Sequence, residues 1–254
     1  MNMFDLTGKL ALVTGSSQGI GRTLVQGLAE AGATVIVHGR DHAKARRAAN
    51  EITEATGRTA HVAVFDVTDS AAVDAGIGAI EAEHGVVDIL VNNAGVQRRA
   101  PIAEFTNEDW DTLIGTNLSS VFYLSRRVAA GMTGRGSGKI VQIGSVQSLL
   151  ARPSIAAYSA TKGAIVMFTK GLCADLAPHG VQVNAIAPGY FATELTQALV
   201  DDVEFSAWVA KRTPAGRWGD TKDLVGALVF LASGASDFVN GQTLFVDGGM
   251  TAVV

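Results

Sequence analysis

Short β-branched apolar runs alternate with longer helical stretches along the whole chain, and this alternation most constrains the fold. Residues 9–14, 34–38, 61–65, 88–91, 139–143, 181–187 and 243–246 read as strands. Between them, 20–31, 41–56, 71–83, 108–130, 157–177 and 220–232 read as helices, with Asp41 placed to cap the second. Strand after helix after strand predicts a parallel sheet covered by helices on both faces. Several strands are continuous apolar runs, as strands buried on both faces should be. No linker, repeat or low-complexity stretch interrupts the pattern. The expectation is therefore an α/β doubly wound sheet forming a single domain, 1–254. Ligands of such sheets bind beyond the carboxyl ends of the strands, so functional residues are sought just after strands.

Composition removes several classes of function. With 48% hydrophobic and 17% charged residues, the chain is not of the disordered type. A net charge of −4 gives no electrostatic footprint for nucleic acid or an anionic membrane. No run of 18 apolar residues offers a transmembrane helix. The first residues carry Asp5 and no basic segment, so no signal peptide is expected. The lone Cys173 fits a reducing cytoplasm. The histidines, at 38, 42, 61, 84 and 179, lack metal-ligand spacing, so no metal is expected.

Two motifs carry chemistry. After the first strand, Gly15, Gly19 and Gly21 frame a loop with Ser17, Gln18 and Ile20, spaced G-x-x-x-G-x-G. Glycines let a diphosphate approach the backbone, and the following helix offers free N–H groups and its positive end. The second motif, Tyr158-x-x-x-Lys162, opens a predicted helix, where positions i and i+4 share one face. A cation beside a phenol lowers its pKa of about 10, giving a proton donor and acceptor near working pH. Ser145 ends the fifth strand, and Asn92-Asn93-Ala94-Gly95 follows the fourth. Asn117 falls inside a predicted helix, where asparagine is unfavourable, which marks it for another use.

Together with Asp66 and Pro188-Gly189, these residues resemble the short-chain dehydrogenase/reductase family over essentially the whole chain. The resemblance implies a Rossmann-type sheet of seven strands and hydride transfer between a nicotinamide and a carbonyl or alcohol. It implies Tyr158 as general acid/base, Ser145 as the group that polarises the substrate oxygen, and Lys162 as the holder of the nicotinamide ribose. Asn117 would keep a water linking Lys162 to solvent. Asp66, with Val67 beside it, would meet the adenine. Asn93, Ala94, Gly95, Pro188 and Gly189 would line the cofactor, and Thr193 would reach its carboxamide. Residues 92–99, 187–191, 211–214, 217–219 and 235–241 resemble a branch of the family that acts on sugar acids. Reductases of acyl-carrier-protein thioesters share the scaffold and are the alternative. A non-catalytic dinucleotide sensor is disfavoured, because Ser145, Tyr158 and Lys162 are all present.

The second strand is followed by Gly39-Arg40 where NAD sites often place an acid, so NADP(H) is expected over NAD(H). Arginine suits a 2′-phosphate. On the substrate side, Arg98 and Arg99 follow the fourth strand, and Gln147 and Arg152 the fifth. Arginine suits a carboxylate and amides suit hydroxyls, which favours a sugar acid with Arg98 as the carboxylate ligand. Leu149, Leu150 and Phe191 leave an acyl chain open. A substrate lid is expected at about 190–215. The helix at 157–177 is apolar nearly all round, which predicts a homo-oligomer, dimer or tetramer.

Overall fold

The computed structural model describes residues 3–254, the Leu195 side chain excepted. Strand β1 (Leu10–Val13) leads through α1 (Gly19–Glu30) to β2 (Thr34–Gly39), then α2 (His42–Thr56) and β3 (Ala60–Val64). The chain returns through α3 (Ser70–His84) to β4 (Ile89–Asn92), on the other side of β1. After α4 (Asn107–Ile114) and α5 (Ser120–Arg135) come β5 (Gly138–Ile143), α6 (Ala156–Leu176) and β6 (Val181–Pro188). Short helices α7 (Gln197–Val200) and α8 (Val203–Arg212) precede α9 (Val225–Ala232) and β7 (Thr243–Val246). The seven strands lie in the order β3-β2-β1-β4-β5-β6-β7, every pair parallel. The expected doubly wound architecture is the observed one.

Alternation along each strand divides the core. Ala11 and Val13 of β1, Ile89 and Val91 of β4, and Val141 and Ile143 of β5 pack on one face, beneath α1, α2 and α9. Leu10, Leu12, Leu90 and Ile140 point the other way, against α3 and α5. Each fully buried Leu or Ile contributes about 1.5–3 kcal/mol. Both faces being covered explains why the strands read as unbroken apolar runs. The reversal of strand order between β1 and β4 opens a crevice at their carboxyl ends.

Two expected helices differ in the structure. The stretch at 108–130 is not one helix. A π-helical turn, Gly115–Ser119, separates α4 from α5. Its cause is tertiary: the Asn117 side chain is drawn to the Val96 backbone, accepting from Val96 N at 2.8 Å and donating to Val96 O at 2.9 Å. The stretch at 220–232 begins as a 3₁₀ turn, Thr221–Leu224, capped by Asp220, before α9 proper. The Asp41 cap is present, its carboxylate accepting from Lys44 N at 3.0 Å.

Candidate active site

The crevice is a cavity of about 740 Å³. Every residue expected at the site lines it except Asn117. Its floor is the turn after β1. Thr14 Oγ1 accepts from the backbone N–H groups of Asn93 and Ala94, both at 3.0 Å. Asn93 Nδ2 in turn donates to the carbonyls of Thr14, at 2.9 Å, and Gly15, at 3.1 Å. Asn93 thus ties the glycine loop to β4 rather than offering its amide to a ligand. His38, in β2, completes the clamp. Its Nδ1 accepts from Gly15 N at 3.2 Å while Nε2 faces the Phe65 carbonyl at 3.1 Å. Burial holds the ring neutral, with its pKa lowered to about 4.

This loop fits a dinucleotide. Gly19 has φ +58°, and a side chain there would face open space. Gly21 is packed so closely that a Cβ would collide with the Gly15 carbonyl and the Asn93 amide. The first residue of α1 follows Gln18, which supplies no side-chain cap, whereas Asp41 and Asp69 cap α2 and α3. The free N–H groups of α1 are therefore left to an anion. Farther along, Ser17, Gly39, Arg40 and Lys44 share one end of the cavity. A Cβ on Gly39 would lie 3.2 Å from Ser17 Oγ, so glycine keeps this corner open. Arg40 is exposed and only loosely paired with Asp66, at 3.9 Å. Asp66 also accepts from Thr68 N at 2.8 Å and Thr68 Oγ1 at 2.7 Å, which hold its carboxyl below the usual range.

Tyr158 lies in the first turn of α6, with the Ser145 side chain beside its hydroxyl. Ser145 Oγ accepts from Gln147 N at 3.1 Å. Lys162, one turn on, is buried, and its Nζ donates to the Ile143 carbonyl at 2.7 Å. Here an expectation is corrected. Desolvation pushes the Tyr158 hydroxyl upward, and the groups opposing it are Ser145 and Arg99, not Lys162. The reason is geometric: Lys162 Nζ sits over the ring face, 5.7 Å from its centroid, and is turned to the Ile143 carbonyl. Burial also lowers Lys162 itself from 10.5 to about 8.

The arginines are corrected too. Arg98 lines the cleft, but its Nε donates to Asp109 at 3.0 Å, so the cation is already paired. Arg99 has no such partner among the described residues. It donates to Gln97 Oε1 at 2.6 Å, and its charge acts on both Tyr158 and Tyr190. Asn117 is fully committed to Val96, with Thr161 Oγ1 at 3.4 Å. Its side chain is not free for Lys162. Pro188 and Gly189 close β6 beside the cavity, and Thr193 caps the following 3₁₀ turn through Thr196. Outside the cleft, His61, Glu83 and His84 bring ligand atoms within 4.8 Å of one another, a grouping that sequence spacing did not show. Among the described residues, no helix is long and apolar enough to cross a membrane.

A parallel sheet with an uncapped glycine-loop helix and a Ser–Tyr–Lys cluster at its crevice defines a nicotinamide-dependent oxidoreductase. The short chain dehydrogenase family model matches residues 9–204, and the chain belongs to that family. It is 57% identical over 250 residues to gluconate 5-dehydrogenase of Gluconobacter oxydans (strain 621H), covering 98% of this chain and 97% of the relative. It is 49% identical to 5-keto-D-gluconate 5-reductase of Escherichia coli (strain K12), covering 100% and 99%. A gluconate 5-dehydrogenase from Burkholderia cenocepacia J2315, solved in complex with NADP and tartrate, superposes with a TM-score of 0.97 at 57% identity, over 100% of this chain and 99% of that one.

Proposed function

We propose that this oxidoreductase interconverts D-gluconate and 5-ketogluconate with NADP(H). The observation that carries the reading is one cavity joining a Ser145–Tyr158–Lys162 cluster to a cationic wall made by Arg99 and Arg152. The similarity to enzymes named for gluconate and 5-ketogluconate chemistry supports it.

When bound, the nicotinamide supplies or accepts the hydride. Tyr158 gives its hydroxyl proton to the C5 oxygen as the ketone is reduced, and takes it back as the alcohol is oxidised. Ser145 holds that same oxygen by a hydrogen bond. Lys162 binds the nicotinamide ribose with the ammonium hydrogens left over from the Ile143 carbonyl. The Asn117 side chain only anchors the loop after β4. Gly15, Gly19 and Gly21 with the start of α1 seat the diphosphate. Asp66 and Val67 border the adenine, and Gly95, Pro188, Gly189 and Thr193 the nicotinamide half. Arg40, with Lys44 nearby, grips the 2′-phosphate. The segment at about 190–215, which holds α7 and α8, acts as the lid. Reduction of 3-oxoacyl thioesters is the rival reading, and two unpaired arginines suit it poorly. Steady-state rates with NADPH against 5-ketogluconate and an acetoacetyl thioester separate them. A higher kcat/KM for the thioester overturns the proposal.

A homo-oligomer is part of the same reading. Phe122 of α5 and Met167 of α6 remain exposed on one chain, with Phe168 beside Phe122 at 6.3 Å. A second copy would cover them. Light scattering at micromolar protein should give a mass of at least a dimer.

A further inference from the structure

Beside α8, the cavity holds polar groups that no described residue satisfies. Gln147 is buried, and its Oε1 makes no hydrogen bond. The Tyr190 hydroxyl lies next to the Arg152 and Gln147 side chains, yet it too is buried without a well-formed hydrogen bond. Buried polar atoms of this kind are costly unless a ligand or water completes them. Arg152 and Arg99 act on each other as like charges. Among the described residues neither has a carboxylate within ion-pair distance, although Arg98 next door has one. Two uncompensated guanidiniums and an unpaired phenol hydroxyl form a donor set for an anion.

Both arginines line the cavity beside Tyr190, and Arg99 is also near Tyr158. Arg152 is the cation that meets α8. It lies 5.4 Å from the centroid of the Phe205 ring, on α8, within an aromatic cluster of Tyr190, Phe205, Trp208 and Trp218. A six-carbon acid that reacts at C5 carries its carboxylate four carbons away.

We propose that Arg152 and the Tyr190 hydroxyl bind the substrate's carboxylate beside α8, that Gln147 Oε1 accepts from a hydroxyl between, and that Arg99 faces the hydroxyls nearest the reacting carbon. The site thereby measures the distance from carbonyl to carboxylate. This rests on the gluconate reading for the identity of the acid, but the subsite stands on its own residues. Seating an anion under Arg152 also engages α8 through Phe205, so carboxylate binding and closure of this segment are coupled.

The test uses Arg152→Gln, Arg152→Lys and Tyr190→Phe, each checked for an unchanged melting temperature and NADPH affinity. Rates are measured with 5-ketogluconate and with the neutral C5 ketone 5-dehydro-D-fructose, and D-gluconate is titrated as product inhibitor. Arg152→Gln should raise KM for 5-ketogluconate at least 10-fold and weaken D-gluconate inhibition in parallel. Arg152→Lys should recover part of this, and Tyr190→Phe should lose about 5-fold. The neutral ketone should change less than 3-fold. A KM within 2-fold of wild type for Arg152→Gln, or equal losses on both ketones, overturns the subsite. A wild type that reduces another keto acid, and loses it in Arg152→Gln, refutes gluconate while keeping the subsite. A wild type that reduces only uncharged ketones or thioesters overturns both.

Discussion

Replacing Lys162 with methionine should separate stability from catalysis. Lys162 is buried, and its pKa falls from 10.5 to about 8 because the fold desolvates the ammonium. At 1.36 kcal/mol per pKa unit, that drop corresponds to about 3 kcal/mol. The folded state favours the neutral amine more than the unfolded chain does. The penalty is therefore absent above pH 10.5, grows as pH falls from 10.5 to about 8, and stays in full below that. Methionine removes the penalty while filling similar space. It also strands the Ile143 carbonyl, which Lys162 Nζ meets at 2.7 Å, and that loss costs about 1–3 kcal/mol. At pH 7 the cofactor-free variant should thus match wild type or exceed it by up to about 2 kcal/mol. At pH 10.5 it should be the less stable of the two. Turnover should nevertheless fall by roughly 10-fold or more, since the nicotinamide ribose would lose the cation that holds it. Urea unfolding at the two pH values, with NADPH oxidation rates, reads both effects. A variant that fails to fold at pH 7, or one that keeps a third of its turnover, refutes the assignment.

Tyr158→Phe should lower kcat by roughly 10²- to 10⁴-fold and leave NADPH affinity unchanged, as measured by fluorescence titration. Arg40→Ala should weaken NADPH about 10-fold, the low end for a charged hydrogen bond at an exposed position, and leave NADH unchanged. Adding Gly39→Asp should reverse the ratio of kcat/KM values in favour of NADH, and a wild type that already prefers NADH would refute the role of Arg40. His38, neutral between Gly15 and Phe65, should make the fold acid-labile. Its pKa drops from 6.5 to about 4, so about 3 kcal/mol is lost as pH falls through that window, and His38→Phe should flatten this part of the urea-midpoint profile.

The sheet was legible because its physics is local. Val35, Ile36 and Val37 are apolar on both faces because both faces are buried, and the run itself records that. The glycine loop and the Tyr158–Lys162 pair were legible for a similar reason, since each needs fixed spacing on one element. The rest depends on partners far along the chain. Nothing near Asn117 announces that Val96 will seize its amide and open a π turn. Arg98 and Arg99 are neighbours with the same chemistry, and only the position of α4 decides that Asp109 neutralises the first. Tyr190 meets Arg152 and Gln147 across about 40 residues of sequence, so its use is invisible before folding. His38 had a weak signal, as the polar residue that ends an apolar strand before Gly39, and only its burial reveals the clamp on Gly15.

The most direct test follows the hydride. Wild-type protein is supplied with NADPH deuterated at the transferable position of nicotinamide C4 and with 5-ketogluconate, and the product is read by NMR. D-Gluconate carrying deuterium at C5 is the predicted outcome, with none formed by Tyr158→Phe in the same time. Deuterium at any other carbon, a C5 epimer of gluconate as the main product, or equal yield from Tyr158→Phe would contradict the account.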